Sequence, residues 1–155
     1  MMATPANPQV LETMSKLFVS LPHCATLGFQ YLGTEGRRPV LKVEWREDLV
    51  GNPASGTIHG GVITSLVDTT SAVSVTACLP DFETIATLDL RIDYLKAATP
   101  GKAIHCRAEC YRLASQIAFT RAVCYHDDPA DPIAHGVATF MRESSRASML
   151  QEAKP

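Results

Sequence analysis

Residues 59–78 read HGGVITSLVDTTSAVSVTAC, running from His59 to Cys78. The stretch holds no proline, lysine or arginine, and its only ionisable groups besides the closing thiol are His59 and Asp68. Ile63, Leu66, Val67, Thr70, Val73 and Ala77 recur at three and four residues, the period of a helix. A helix on a protein surface carries a charged outer face. None exists here, so the stretch predicts a long helix buried on nearly all sides and ended by Pro80.

The flanking sequence supplies what could bury it. Before it, Met1–Pro8 is small, polar and proline-broken and is expected to be disordered. From Gln9 to Ser20, Val10, Met14, Leu17 and Phe18 have helical spacing, giving a short amphipathic helix that Pro22 ends. Leu27–Thr34 and Val40–Arg46 read as strands. In the second, Leu41, Val43 and Trp45 alternate with Lys42, Glu44 and Arg46, which predicts one wet face. Glu47–Ile58 is rich in turn residues and reads as an irregular loop. After the helix, Leu88, Leu90, Ile92 and Tyr94 alternate with Thr87, Asp89, Arg91 and Asp93. Lys102–Leu113, Gln116–His126 and Ile133–Arg142 complete the strands, and short connections favour antiparallel meander pairing. The prediction is an α+β fold, one antiparallel sheet around one buried helix. Residues 1–20 form an N-terminal segment with a short helix, 21–143 the domain, and 144–155 a frayed tail.

Composition narrows the function. The 155 residues are 46% hydrophobic, ordinary for one globular domain. Lys and Arg number 14 against 16 Asp and Glu, a net charge of -2. A nucleic-acid footprint needs a basic excess gathered on one face. With aromatics at 6%, a base-stacking platform is equally unsupported. No apolar run approaches the ~20 residues of a membrane span. The opening residues resemble no secretory signal, and five cysteines cannot all pair within one chain, so a reducing cytoplasm is expected.

Two features carry chemistry. Gly60 and Gly61 open the helix, where backbone N–H groups lack intrahelical acceptors and the dipole favours negative charge. The bland alternative is a turn that lets a loop enter a crowded helix. Asp68 lies further along the same helix with no basic neighbour. A desolvated carboxylate is costly unless paired or used; hydroxyls of Thr64, Ser65 or Ser71 could satisfy it, or it could serve as a base or nucleophile. Other clusters are weaker. Cys106 and Cys110 stand about 13 Å apart on a strand, too far to chelate a metal, and His105 faces the other way. Cys24 beside His23 lacks an orienting third group. His126 to Asp131 reads as a solvated hairpin turn.

Gly56-Thr57-Ile58-His59-Gly60-Gly61, then Leu66-Val67-Asp68, then Thr87 through Leu95 resemble the hotdog-fold acyl-CoA thioesterases of the PaaI type, over roughly Leu21 to Arg142. The resemblance implies a homodimer or homotetramer that hydrolyses an acyl- or aryl-acyl-CoA without metal or prosthetic group. It assigns the oxyanion donor to the N–H of Gly60, and nucleophile or general base to Asp68. Thr87 would help to hold the attacking water, and His59 would line the site. Asn52 would be the family's loop asparagine, one residue further from His59 than in the pattern. Gly61 would contact substrate. Ala114-Ser115 stands where the family often carries a basic residue for CoA phosphates, leaving Arg91 and Arg112 as candidates.

Gly60 and Asp68 are eight residues apart, about 12 Å along a helix. One thioester carbon cannot reach both, so the site is expected to draw one group from each of two protomers. The rival readings are a non-catalytic acyl-CoA-binding hotdog protein and a hotdog dehydratase. A hotdog repressor would need a DNA-binding segment that residues 1–20 are too short to hold.

Overall fold

In chain order the elements are α1 (Pro8–Ser20), α2 (Pro22–Leu27), β1 (Gln30–Glu35), β2 (Arg38–Val43), a 3-10 turn (Glu47–Leu49), β3 (Val50–Asn52), β4 (Thr57–Ile58), α3 (Gly60–Thr76), β5 (Ile85–Tyr94), β6 (Ile104–Leu113), β7 (Ile117–Tyr125) and β8 (Ala134–Arg142). They come from a computed structural model that describes residues 3–142; the expected C-terminal tail lies outside the described residues.

The charge-free stretch becomes α3, with His59 as its N-cap. Leu66, Val67 and Val73 are fully buried against Leu41, Val43, Ile104, Cys106 and Cys124 of the sheet. Its last turns add a second cluster, in which Ala72, Val75 and Leu79 meet Ala118, Ala138 and Phe140. The sheet is six-stranded in the order β1-β2-β6-β7-β8-β5, and every neighbouring pair is antiparallel. It curls around α3 in the hotdog arrangement. Among the described residues, no helix is long and apolar enough to cross a membrane.

Several local expectations need correction. Residues before Pro8 are tied down: the Ala6 N–H donates to Ala77 O at 3.0 Å and Asn7 Nδ2 to Pro80 O at 2.9 Å. Both bonds reach the end of α3, about which local composition is silent. Asn7 also caps α1 by accepting from the Gln9 and Val10 N–H groups. Pro22 ends one helix and begins another, since proline is well suited to a first helical position; Leu27 therefore belongs to α2 rather than to a strand. The expected loop at residues 47–58 contains the small β3–β4 hairpin. β2 stops at Val43, short of the expected Arg46. The meander holds for β6, β7 and β8, but the connection at residues 95–103 carries β5 to the far side of β8.

β5 is thus an edge strand ten residues long. It is not evenly alternating. Thr87 pairs with Phe140 and Asp89 with Thr139, so Leu88 is an extra, bulged residue. The bulge puts Thr87 on the same face as Leu90 and Ile92, which pack on the core.

Candidate active site

Asp68 sits half-buried on the side of α3 that faces β5. Its partner is not a hydroxyl of its own helix. The Thr87 hydroxyl donates to Asp68 Oδ1 at 2.8 Å, a contact the bulge at Leu88 makes possible. Asp68 joins none of the ion pairs among the described residues. The carboxylate is held by a neutral donor, and among the described residues its second oxygen takes part in no side-chain hydrogen bond.

The start of α3 forms the other half of the cluster. The Gly61 N–H donates to His59 Nδ1 at 2.9 Å, so the imidazole caps the helix and its neutral form carries the proton on Nε2. That bond engages one of the two glycine N–H groups. Gly60, the first helical residue, has no intrahelical acceptor for its own N–H. The close packing of this corner depends on glycine at position 51, where a Cβ would lie 2.6 Å from His59 Cα. The His59 N–H donates to Leu49 O at 2.8 Å and fixes the approach to the helix.

Tyr94, at the end of β5, ties that strand to the helix start. Its hydroxyl donates to Gly60 O at 2.8 Å and lies 2.9 Å from Thr64 Oγ1. A Cβ at Gly60 would stand 3.2 Å from that hydroxyl. The sequence pattern places Tyr94 in the strand alternation and says nothing more of it. Its position beside Gly60, 34 residues away in the chain, is set by packing. Likewise His23 Nε2 lies 2.9 Å from Ser65 Oγ, a contact between α2 and α3 without any local signature.

Two clefts flank the helix start. One of about 410 Å³ is lined by Ile58, Gly60, Ile63, Tyr94, Leu95 and Lys96. The other, of about 440 Å³, is lined by His23, Leu49, His59, Gly61, Val62 and Ser65. Asn52 stands on the exposed β3–β4 hairpin, where its Oδ1 accepts from the Ala54 N–H at 3.1 Å. Arg91 faces away from α3 and pairs with Asp93 at 3.0 Å. Arg112 lies at the distal end of β6, exposed. Neither arginine joins the cluster around Asp68 and Gly60. No group of three or more potential metal ligands occurs among the described residues. His126 is better connected than a solvated turn: its Nδ1 donates to Ala103 O and its Nε2 accepts from the Thr99 N–H.

An apolar helix wrapped by an antiparallel sheet, with a glycine opening and a lone acid, has the hotdog architecture expected of a thioester hydrolase. The family description "Thioesterase superfamily" matches residues 55–133, and the chain belongs to that superfamily. It is 30% identical over 147 residues to the medium/long-chain acyl-CoA thioesterase YigI of Escherichia coli K12, covering 86% of this chain and 94% of YigI. A crystal structure of a Pseudomonas aeruginosa protein superposes with a TM-score of 0.78 at 45% identity, over 86% of this chain and 99% of that one. The phenylacetic acid degradation protein PaaI of Thermus thermophilus, a point mutant, matches at 23% identity with a TM-score of 0.68. That match covers 79% of this chain and all of PaaI, and it supports the fold alone.

Proposed function

We propose that the protein hydrolyses acyl-CoA thioesters to a carboxylic acid and CoA, in a site built by two copies of the chain. The observation that carries this reading is the Thr87–Asp68 contact. It holds a carboxylate of an otherwise charge-free helix by a hydroxyl alone, next to the open edge of the sheet.

Asp68 supplies the attack on the thioester carbonyl, either directly or by taking a proton from water as general base. The carbonyl oxygen gains negative charge as the bond forms. The Gly60 N–H and the positive end of α3 stabilise it, a contribution of ~3–4 kcal/mol for one well-placed donor. The C–S bond then breaks. In the general-base route the CoA thiolate takes the proton that Asp68 drew from water. In the direct route water hydrolyses the resulting Asp68 acyl anhydride to the free acid and supplies the thiolate's proton. His59 keeps the helix start in register through Gly61. No metal or prosthetic group is needed for these steps.

The spacing of about 12 Å between Gly60 and Asp68 argues for two protomers. β5 supports the same reading. It is a long edge without lysine or proline inside it, and Leu88, Tyr94 and Leu95 beside that edge are 54%, 52% and 52% exposed. Such edges are ordinarily covered. A second copy joined antiparallel along β5 lays the two α3 helices side by side in opposite directions. The start of one helix then approaches the middle of the other, as a composite site requires. The interface is isologous and yields two identical sites.

For the acyl group we favour a medium or long alkyl chain over an aryl group. The likeness to YigI supports this choice, as do the apolar side chains of Ile58, Ile63 and Leu95 in the cleft at Gly60. Lys96, which pairs with Asp131, lines the same cleft, so it lies nearer the helix start for a CoA phosphate than Arg91 or Arg112.

A chain-length panel of acyl-CoAs, read by thiol release, tests the function. Release rising with alkyl length supports it. Saturable binding without free CoA would indicate a binding protein, and hydration or dehydration of the acyl chain with the thioester intact would indicate a dehydratase. Single-turnover hydrolysis in ¹⁸O-water assigns the role of Asp68. Label in the Asp68 carboxylate marks direct attack, and label only in the acid product, with no acyl-Asp68 adduct in rapid-quench mass spectrometry, marks general-base chemistry.

A further inference from the structure

Cys24, Cys106 and Cys124 are buried, whereas Cys78 and Cys110 are only partly so. Cys78 follows the end of α3 and Cys110 lies on β6. Cys78 Sγ is 3.9 Å from Cys110 O, and the two thiols are near enough to perturb each other's titration. Arg37, from the β1–β2 turn, donates through Nε to Thr4 O at 2.6 Å, and its positive charge acts on Cys78. Cys110 lines an open surface cleft of about 550 Å³ with Arg37, Arg38, Arg121, Glu35 and Glu109, in which Glu109 pairs with Arg38 and Arg121 and leaves Arg37 as the cation acting on the thiols. A second pair, Cys106 and Cys124, stands directly opposed on β6 and β7, but both are fully buried. Only the first pair combines mutual contact, a cation and access from solvent.

We propose that Cys78 and Cys110 are a redox-active dithiol, closing to an intramolecular disulfide under peroxide, with Cys78 as the attacking thiol and Arg37 as its activator. The thiolate, not the thiol, is the nucleophile, and reactive cysteines sit in partly exposed, electropositive surroundings. The neighbouring Cys110 thiol draws the Cys78 thiol down to about 7, opposed by burial and by the Glu109 carboxylate and aided by Arg37. The same proximity, with burial, raises Cys110, which suits the resolving partner.

The chemistry balances. The Cys78 thiolate attacks one peroxide oxygen and the O–O bond breaks, giving a sulfenic acid and hydroxide. The Cys110 sulfur then attacks the sulfenic sulfur and expels the sulfenic oxygen, which leaves as water with the proton that Cys110 loses. Overall, two thiols and one hydrogen peroxide give one disulfide and two waters. The product would tie the end of α3 to β6, fixing the helix whose other end opens the active site.

The test uses the full-length protein at neutral pH with hydrogen peroxide, then alkylation of remaining thiols and peptide mapping. The expected product is a Cys78–Cys110 disulfide, with Cys24, Cys106 and Cys124 still reduced. Arg37→Gln should form it several-fold more slowly, and Cys78→Ser and Cys110→Ser should not form it. On the untreated wild type, alkylation of Cys78 should follow a titration centred near pH 7 rather than the ordinary 9.0. A Cys106–Cys124 disulfide instead, an over-oxidised Cys78 beside a reduced Cys110, or Cys78 alkylation centred near 9 would each overturn the proposal.

Discussion

Replacing Thr87 by Val tests whether the hydroxyl on Asp68 matters to the chemistry. Valine keeps the β-branched shape that suits a strand and removes only the donor. The bond it removes is an O–H to carboxylate hydrogen bond of 2.8 Å, with one charged partner. Such bonds contribute about 1.5–3 kcal/mol. Each ~1.36 kcal/mol in a barrier is tenfold in rate, so full loss in the transition state lowers kcat by roughly 10- to 150-fold. KM should move little, because Thr87 holds the attacking group rather than the substrate. Thr87→Ser retains the donor and should stay within a few-fold of wild type. The assay is steady-state thiol release on one acyl-CoA, with far-UV circular dichroism to check the fold. A Thr87→Val enzyme within twofold of wild-type kcat would refute the role given to this hydrogen bond.

Asp68→Asn should lower kcat by about 10²–10⁴ in the same assay. Its thermal midpoint should hold or rise, because the amide still accepts from Thr87 and a half-buried charge disappears. Tyr94→Phe removes the donor to Gly60 O and should cost about 2- to 13-fold in kcat, from ~0.5–1.5 kcal/mol for a neutral hydrogen bond, with the far-UV spectrum unchanged. Overnight EDTA should leave activity intact, and a loss restored by a divalent ion would contradict the metal-free mechanism.

The chemistry of this chain was legible where it was written locally. α3 stands out because seventeen residues without a surface charge can only be buried, and its glycine opening and lone acid lie within it. The strand periods located β6, β7 and β8 to within two residues. What composition could not show was long-range. Strict alternation set Thr87 apart from Leu88 and Leu90; a single bulge returns it to the face that meets Asp68. Pro22 carries the same local signal whether it ends α1 or begins α2. Tyr94 reached the site through a sheet order that places β5 beside β8, which no local pattern encodes.

The composite site is tested most directly by mixing two inactive proteins. Gly60→Pro removes the proposed N–H at a position where proline is well tolerated. His59, at φ -61° and ψ 133°, already has the backbone that precedes proline, and the Tyr94 hydroxyl need yield only a few tenths of an ångström. Asp68→Asn disables the other group. Each variant alone must first be shown to refold to the wild-type oligomer. When equal amounts are unfolded and refolded together, random pairing makes about half the dimers mixed, and each mixed dimer holds one intact site of two. The mixture should recover about a quarter of wild-type activity. No recovery in verified mixed dimers would show that Gly60 of one protomer and Asp68 of the other do not serve one site.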